Sequence, residues 1–174
     1  NTSTYSNVVE SSTSPAINNA PVLATIGAKS ILESSTLNFT VSATDADGDQ
    51  LTYSTTDLPS GASFNAATRS FSWTPGYDQA GSYSIVFGVS DGSAADSETV
   101  TITVGNVNRA PTLGSIGAKS VAENELLSFV INGSDPDNNS LSYSAMNLPS
   151  GAVFNAATRS FSWTPGSTQG GSYS

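Results

Sequence analysis

Residues 58–73 read Leu-Pro-Ser-Gly-Ala-Ser-Phe-Asn-Ala-Ala-Thr-Arg-Ser-Phe-Ser-Trp, and residues 148–163 repeat them with one change, Ser63 to Val153. The copy extends well beyond this stretch. Ala20-Pro21-Val22-Leu23-Ala24-Thr25-Ile26-Gly27-Ala28-Lys29-Ser30 returns at 110–120, and between Pro21/Pro111 and Ser84/Ser174 the offset stays at 90 residues, with 38 identities in 64 aligned positions. Solenoid repeats run to about 45 residues, so a period this long describes a tandem duplication of an independently folded module.

Within one copy, apolar residues fall on every second position. The sets are Leu37, Phe39, Val41, Ala43; Leu51, Tyr53; Phe71, Trp73; Tyr83, Ile85, Phe87, Val89; and Val100, Ile102, Val104. Successive side chains of a strand point to opposite faces, so each set lines one side of a sheet. Turn formers separate the sets: Asp47-Gly48-Asp49, Pro59-Ser60-Gly61, Pro75-Gly76 and Asp91-Gly92-Ser93. The pattern predicts strands over 22–32 (broken at Gly27), 36–44, 50–56, 62–65, 69–74, 82–90 and 97–104, packed as two antiparallel sheets. Trp73 and Trp163 share phase with Phe71 and Phe161, which places them between the sheets rather than on a sugar-binding platform. Tyr77 is the best-placed loop aromatic for a glycan, and Lys29 and Lys119 read as edge-strand charges that discourage aggregation.

Composition agrees and narrows the chemistry. Of 174 residues, 32 are Ser, 19 Thr and 14 Asn, which is strand-and-turn chemistry poor in helix formers. Five Lys plus Arg against fourteen Asp plus Glu give a net charge of −9, which repels nucleic acid and anionic lipid. Without His or Cys, the usual general base, thiol nucleophiles, disulfides and thiolate metal sites are all missing, so an enzyme is not expected. No apolar run approaches the roughly 18–20 residues of a membrane helix.

The fold class is therefore all-β: tandem seven-stranded β-sandwiches. Residues 1–18 fall outside the duplication and read as an N-terminal arm or linker; 19–105 form repeat 1, and 106–174 form repeat 2. Repeat 2 stops at Ser174, the counterpart of Ser84, and lacks the last two strands. Continuation of the chain into further repeats is expected, the alternative being a strand donated by another copy in a head-to-tail fibre. Thr4-Tyr5-Ser6-Asn7-Val8-Val9 echoes Ser82–Phe87, although Asn7 would fall at an inward position.

Alternating strand directions decide which loops meet. Glu33 and Asp78 fall at one end of repeat 1, and Asp45, Asp47, Asp49 and Asp91 at the other, with Glu123, Asp135 and Asp137 placed likewise in repeat 2. Glu33, Asp78, Asn106, Asn108, Asp135 and Asp137 are then expected to converge where the repeats join, an all-oxygen set suited to calcium. Arg109 is the one competing cation there, and plainly solvated acidic loops are the simpler reading. Asp-x-Asp-x-Asp at 45–49 resembles the start of a helix-loop-helix calcium loop, but position 56 is Thr where that motif needs a bidentate Glu.

Asn108-Arg109-Ala110-Pro111, Phe39-Thr40-Val41-Ser42-Ala43-Thr44-Asp45-Ala46-Asp47-Gly48-Asp49, Leu58–Ala62, Phe71–Pro75, Tyr77–Tyr83 and Val89-Ser90-Asp91-Gly92 together resemble a bacterial or archaeal dystroglycan-type cadherin-like repeat, a group also described as immunoglobulin-like, over residues 18–174. The resemblance implies an extracellular, secreted or cell-surface location and a calcium-stiffened spacer or adhesive module of a surface adhesin or fibre. It implies calcium ligands at the six junction residues and at Asp45, Asp47 and Asp91. Neighbouring repeats, copies of the same chain and cell-surface glycans are the implied partners, with neither nucleic acid nor membrane insertion. A self-assembling filament subunit and a carbohydrate-binding module are the alternatives. Asn106 and Asn108 replace acidic linker residues, which implies modest affinity, in the range of roughly 10⁻⁴–10⁻³ M.

Overall fold

The computed structural model describes residues 17–174, so the Thr4–Val9 echo and all of the expected arm but Ile17 and Asn18 lie outside it. The chain divides into two compact units, Asn1–Val107 and Asn108–Ser174. Every regular element among the described residues is a strand.

Unit 1 contains β1 (Val22–Leu23), β2 (Lys29–Leu32), β3 (Leu37–Thr40), β4 (Ala43–Thr44), β5 (Thr52–Thr56), β6 (Ser63–Asn65), β7 (Ser70–Trp73), β8 (Gly81–Ser90) and β9 (Ala95–Gly105). The first predicted strand is split between β1, which pairs with β4, and β2, which pairs with β9. The break lies at Gly27, whose φ of 68° is open to a residue without a Cβ. One layer has the order β3-β7-β6 and the other β2-β9-β8-β5, with β1-β4 a separate two-stranded pair.

The β2-β9 pair is parallel, which corrects the expectation of two purely antiparallel sheets. The first and seventh strands of an alternating series run the same way, so pairing them allows no other geometry. Lys29 also departs from expectation. It lies on an outer strand, but its amine donates to the Ile26 and Gly27 carbonyls and sits 5.7 Å from the Phe39 ring, so its charge caps the chain break instead of guarding an edge.

Between the layers, Leu23, Val41, Phe71, Trp73, Ile85, Phe87, Val89, Val100, Ile102 and Val104 are buried, as their alternation requires. Phe87 packs edge-on against Phe71 at 5.7 Å, and Trp73 against Tyr83 at 4.9 Å. The Trp73 indole N–H donates to Ser60 O at 3.2 Å, so its one polar atom is satisfied within the core.

Unit 2 contains β10 (Thr112–Leu113), β11 (Leu127–Val130), β12 (Gly133–Ser134), β13 (Val153–Asn155) and β14 (Ser160–Trp163), with β10 on β12 and a sheet ordered β11-β14-β13. Residues 119–122 and 142–146, the counterparts of β2 and β5, form no strand. In unit 1 those two strands flank β9 and β8, of which the 174 residues repeat only Gly81–Ser84, at 171–174. A concavity of about 830 Å³ lined by Leu127, Phe129, Leu148, Phe161, Trp163 and Tyr173 stands where unit 1 is filled by β8 and β9.

Candidate functional site

The candidate ligands of unit 1 separate to two ends, with the 11 residues of β9 running between them. At one end Glu33 follows β2 and is only 2% exposed. Its Oε1 accepts from Ala80 N and its Oε2 from Val107 N, each at 2.9 Å. Glu33 N donates to Gly105 O at 3.0 Å and Ser34 N to Pro75 O at 2.8 Å, so one carboxylate ties the β2 corner to the approach to β8 and to the chain leaving β9. Asp78 lies in that approach and Asn106 just after β9. Each Glu33 oxygen keeps a second lone pair beyond its backbone donor.

At the other end, Asp45 follows β4 directly. Asp45 Oδ1 accepts from Asp47 N at 2.9 Å and Asp49 N at 3.1 Å, folding the turn back over the carboxylate. Gly48, at φ 78°, permits the reversal. Ligand oxygens of Asp45, Asp47 and Asp49 come within 4.8 Å of one another. Asp45 Oδ2 is buried without a hydrogen-bond partner, the one such side-chain atom among the described residues. Three clustered carboxylates, one of them with a buried oxygen that has no partner, fit a hard cation that takes oxygen ligands. Asp49, absent from the ligand set expected at the sequence level, completes this cluster. Its signal was the alternate-residue Asp spacing, which works here as a turn and needs neither flanking helices nor a Glu at position 56.

Asp91 stands outside that triple. Its Oδ1 accepts from Ser93 N at 2.7 Å and Ala94 N at 2.6 Å, closing the β8-β9 turn, and its Oδ2 accepts from Asn18 Nδ2 at 3.0 Å. These donors, Ala94 N–H first, hold its carboxyl below the ordinary value of 3.8. Asn19 reaches the cluster itself, with N to Asp47 Oδ2 at 2.6 Å and Nδ2 to both Asp47 oxygens at 3.1 Å.

In unit 2 the same turn recurs with different charges. Asp135 Oδ1 accepts from Asp137 N at 2.8 Å and Asn139 N at 3.2 Å. Asp137 faces a guanidinium: Arg109 Nε and Nη2 both lie 2.9 Å from Oδ1, and Arg109 N donates to Oδ2. The Arg109 backbone donor and then its guanidinium hold the Asp137 carboxyl below 3.8. Asn108 Oδ1 accepts from Asn139 Nδ2 at 2.6 Å. Asp137, expected among the oxygen ligands with Arg109 as the competing cation, is engaged by Arg109, whose guanidinium lies against its 6%-exposed side chain.

Residues 20–105 and 110–174 each match the family model described as Putative Ig domain. Chitinase A of Pseudoalteromonas piscicida is 29% identical over 130 residues, covering 73% of this chain and 16% of that protein. The Serine-rich adhesin for platelets of Staphylococcus aureus (strain MRSA252) is 33% identical over 144 residues, 81% of this chain and 10% of the adhesin. The chain thus spans a small part of either relative. Human protocadherin-24 EC1-2 has the same fold, with a TM-score of 0.56 at 15% identity over 87% of this chain and 82% of that one. With both repeats matched over nearly their whole length, the chain belongs to the Putative Ig domain family.

Proposed function

We propose that the chain is a non-catalytic, extracellular adhesive or spacer module of a larger surface protein, with calcium held by Asp45, Asp47 and Asp49. Family membership and the similarity to an adhesin support the structural and adhesive part of this reading. No helix among the described residues is long and apolar enough to cross a membrane. The observation that carries calcium is Asp45 Oδ2, buried and unpartnered beside two further carboxylates. Three like charges at this separation oppose the turn unless a cation offsets them, so an ion would rigidify the loop that Asn19 ties to the start of unit 1.

Isothermal titration with calcium tests this, together with thermal unfolding. Binding with a dissociation constant of roughly 10⁻⁴–10⁻³ M and a rise in Tm are expected, both lost in Asp45→Asn. Neither heat nor a Tm shift at about 10 mM calcium would refute it.

The concavity of unit 2 favours a second element of the reading, that a β-hairpin patterned like β8-β9 covers Phe129, Phe161 and Trp163 in the assembled protein. Sedimentation of the purified chain tests the donated-strand version. Concentration-dependent polymers support it, and a monomer at all concentrations opposes it.

A further inference from the structure

The two acidic turns share a backbone and differ in their charge. At an offset of 90 residues, Asn19 N and Arg109 N donate to Asp47 and Asp137 in the same way, and Asp45 and Asp135 each accept from the residues two and four ahead. What changes is the side chain before the Ala-Pro step. Asn19 offers Asp47 a neutral amide, whereas Arg109 offers Asp137 a guanidinium through two nitrogens at 2.9 Å, with Nη2 also donating to Pro136 O at 2.9 Å. Asn139 stands where Asp49 stood, and its amide turns to Asn108 Oδ1. The unit 1 turn therefore holds three carboxylates and no cation, a charge of −3. The unit 2 turn holds Asp135, Asp137 and Arg109, a charge of −1. Asp45 Oδ2 is left buried without a partner, and its counterpart on Asp135 is not.

We propose that Arg109 is the resident cation of the 135–139 turn, so that this turn is set without metal and calcium acts on the 45–49 turn alone. The inference rests on the calcium reading of unit 1. A divalent ion entering the unit 2 turn would meet two carboxylates instead of three, with a fixed positive charge already on one of them. The residue preceding Ala-Pro, together with the last residue of the turn, is then the selector that makes a repeat calcium-responsive or calcium-indifferent. Arg suits this role better than Lys, because its fork engages Asp137 and the Pro136 carbonyl together.

Amide NMR spectra of the full chain, titrated with calcium to about 10 mM, test the assignment. In the natural sequence, amides 45–49 should titrate while 135–139 stay unmoved. In the double variant Arg109→Asn/Asn139→Asp, which gives the second turn the charges of the first, amides 135–139 should titrate too, with a midpoint within about tenfold of the first set. Unchanged Trp163 emission and amide dispersion in metal-free buffer verify that unit 2 of the variant is folded. If 135–139 titrate alongside 45–49 in the natural chain, or stay silent in the folded variant while 45–49 respond, the role of Arg109 is overturned and the calcium reading stands. Silence at 45–49 in both proteins overturns the calcium reading itself.

Discussion

Glu33 offers the sharpest test of what holds unit 1 closed. Its side chain is 2% exposed, and each of its oxygens accepts one backbone N–H at 2.9 Å, from Ala80 and Val107. Truncation to Ala removes two charge-assisted bonds at once and leaves two donors facing the space the carboxylate filled. Hydrogen bonds to charged groups contribute about 1.5–3 kcal/mol each, and entry of water to the vacated site returns part of that, so a loss of about 2–4 kcal/mol is expected. For a domain of this size, about 1 kcal/mol moves Tm by roughly 4–8 °C, which puts the shift at about 10–25 °C. Glu33→Gln keeps volume and one acceptor but turns an NH₂ toward a donor, and should fall near the middle of that range. Glu123, the counterpart in unit 2, is exposed, so Glu123→Ala should stay within about 0.5 kcal/mol. Urea unfolding followed by Trp fluorescence, in metal-free buffer and again with calcium, provides the readout. A loss under about 1 kcal/mol for Glu33→Ala, or one that appears only with calcium, would refute the backbone lock, because two orphaned donors should cost more than that without any metal.

Two further outcomes follow from the same geometry. The Asp91 and Asp137 carboxyls lie below their ordinary value, so the unfolded chain takes up these protons first as pH falls. Their contribution to stability is complete above that value and is lost on passing down through the folded-state values; Tm measured from about pH 5 to about pH 2 should decline, and less steeply in Asp91→Asn. Amide hydrogen exchange of this chain should find the ladder between β8 and β9 the slowest among the described residues, while residues 119–122 and 142–146, which form no strand, exchange orders of magnitude faster.

Much of this fold was legible from alternation alone. Phe71, Trp73, Ile85, Phe87, Val100 and Ile102 are all buried, because a strand between two layers has a single dry side and period-two spacing names it. The break at Gly27 was marked by the glycine itself, which stands inside the first predicted strand at φ 68°. Period-two spacing says nothing about which strands are neighbours, and so the parallel β2-β9 pair was missed. It also misread Lys29, whose half-buried position belongs to a chain crossing between layers, where the Ile26 and Gly27 N–H groups are taken up by Glu98 at 2.7 and 2.8 Å and their carbonyls by the Lys29 amine. That arrangement unites residues about seventy positions apart and leaves no local signature.

The acidic turns were harder to read, for a reason specific to their chemistry. Counting Asp residues treats Asp45, Asp91 and Asp137 as equivalent, yet one has an orphaned buried oxygen, one closes its own hairpin turn, and one is clamped by a guanidinium. Local spacing contains the first two facts in part, through the Asp-x-Asp-x-Asp turn and the Asp-Gly reversal. The third depends on Arg109, 28 positions before Asp137, being laid across the turn by the strand pair β10-β12. Alignment of the two repeats places Arg109 opposite Asn19, which is enough to flag a change of charge, but only the pairing of those short strands shows which carboxylate receives it. The charge of each turn in this chain is therefore set by residues far apart in sequence, and a tally of acidic side chains overstates it at 135–139, where Arg109 already engages Asp137.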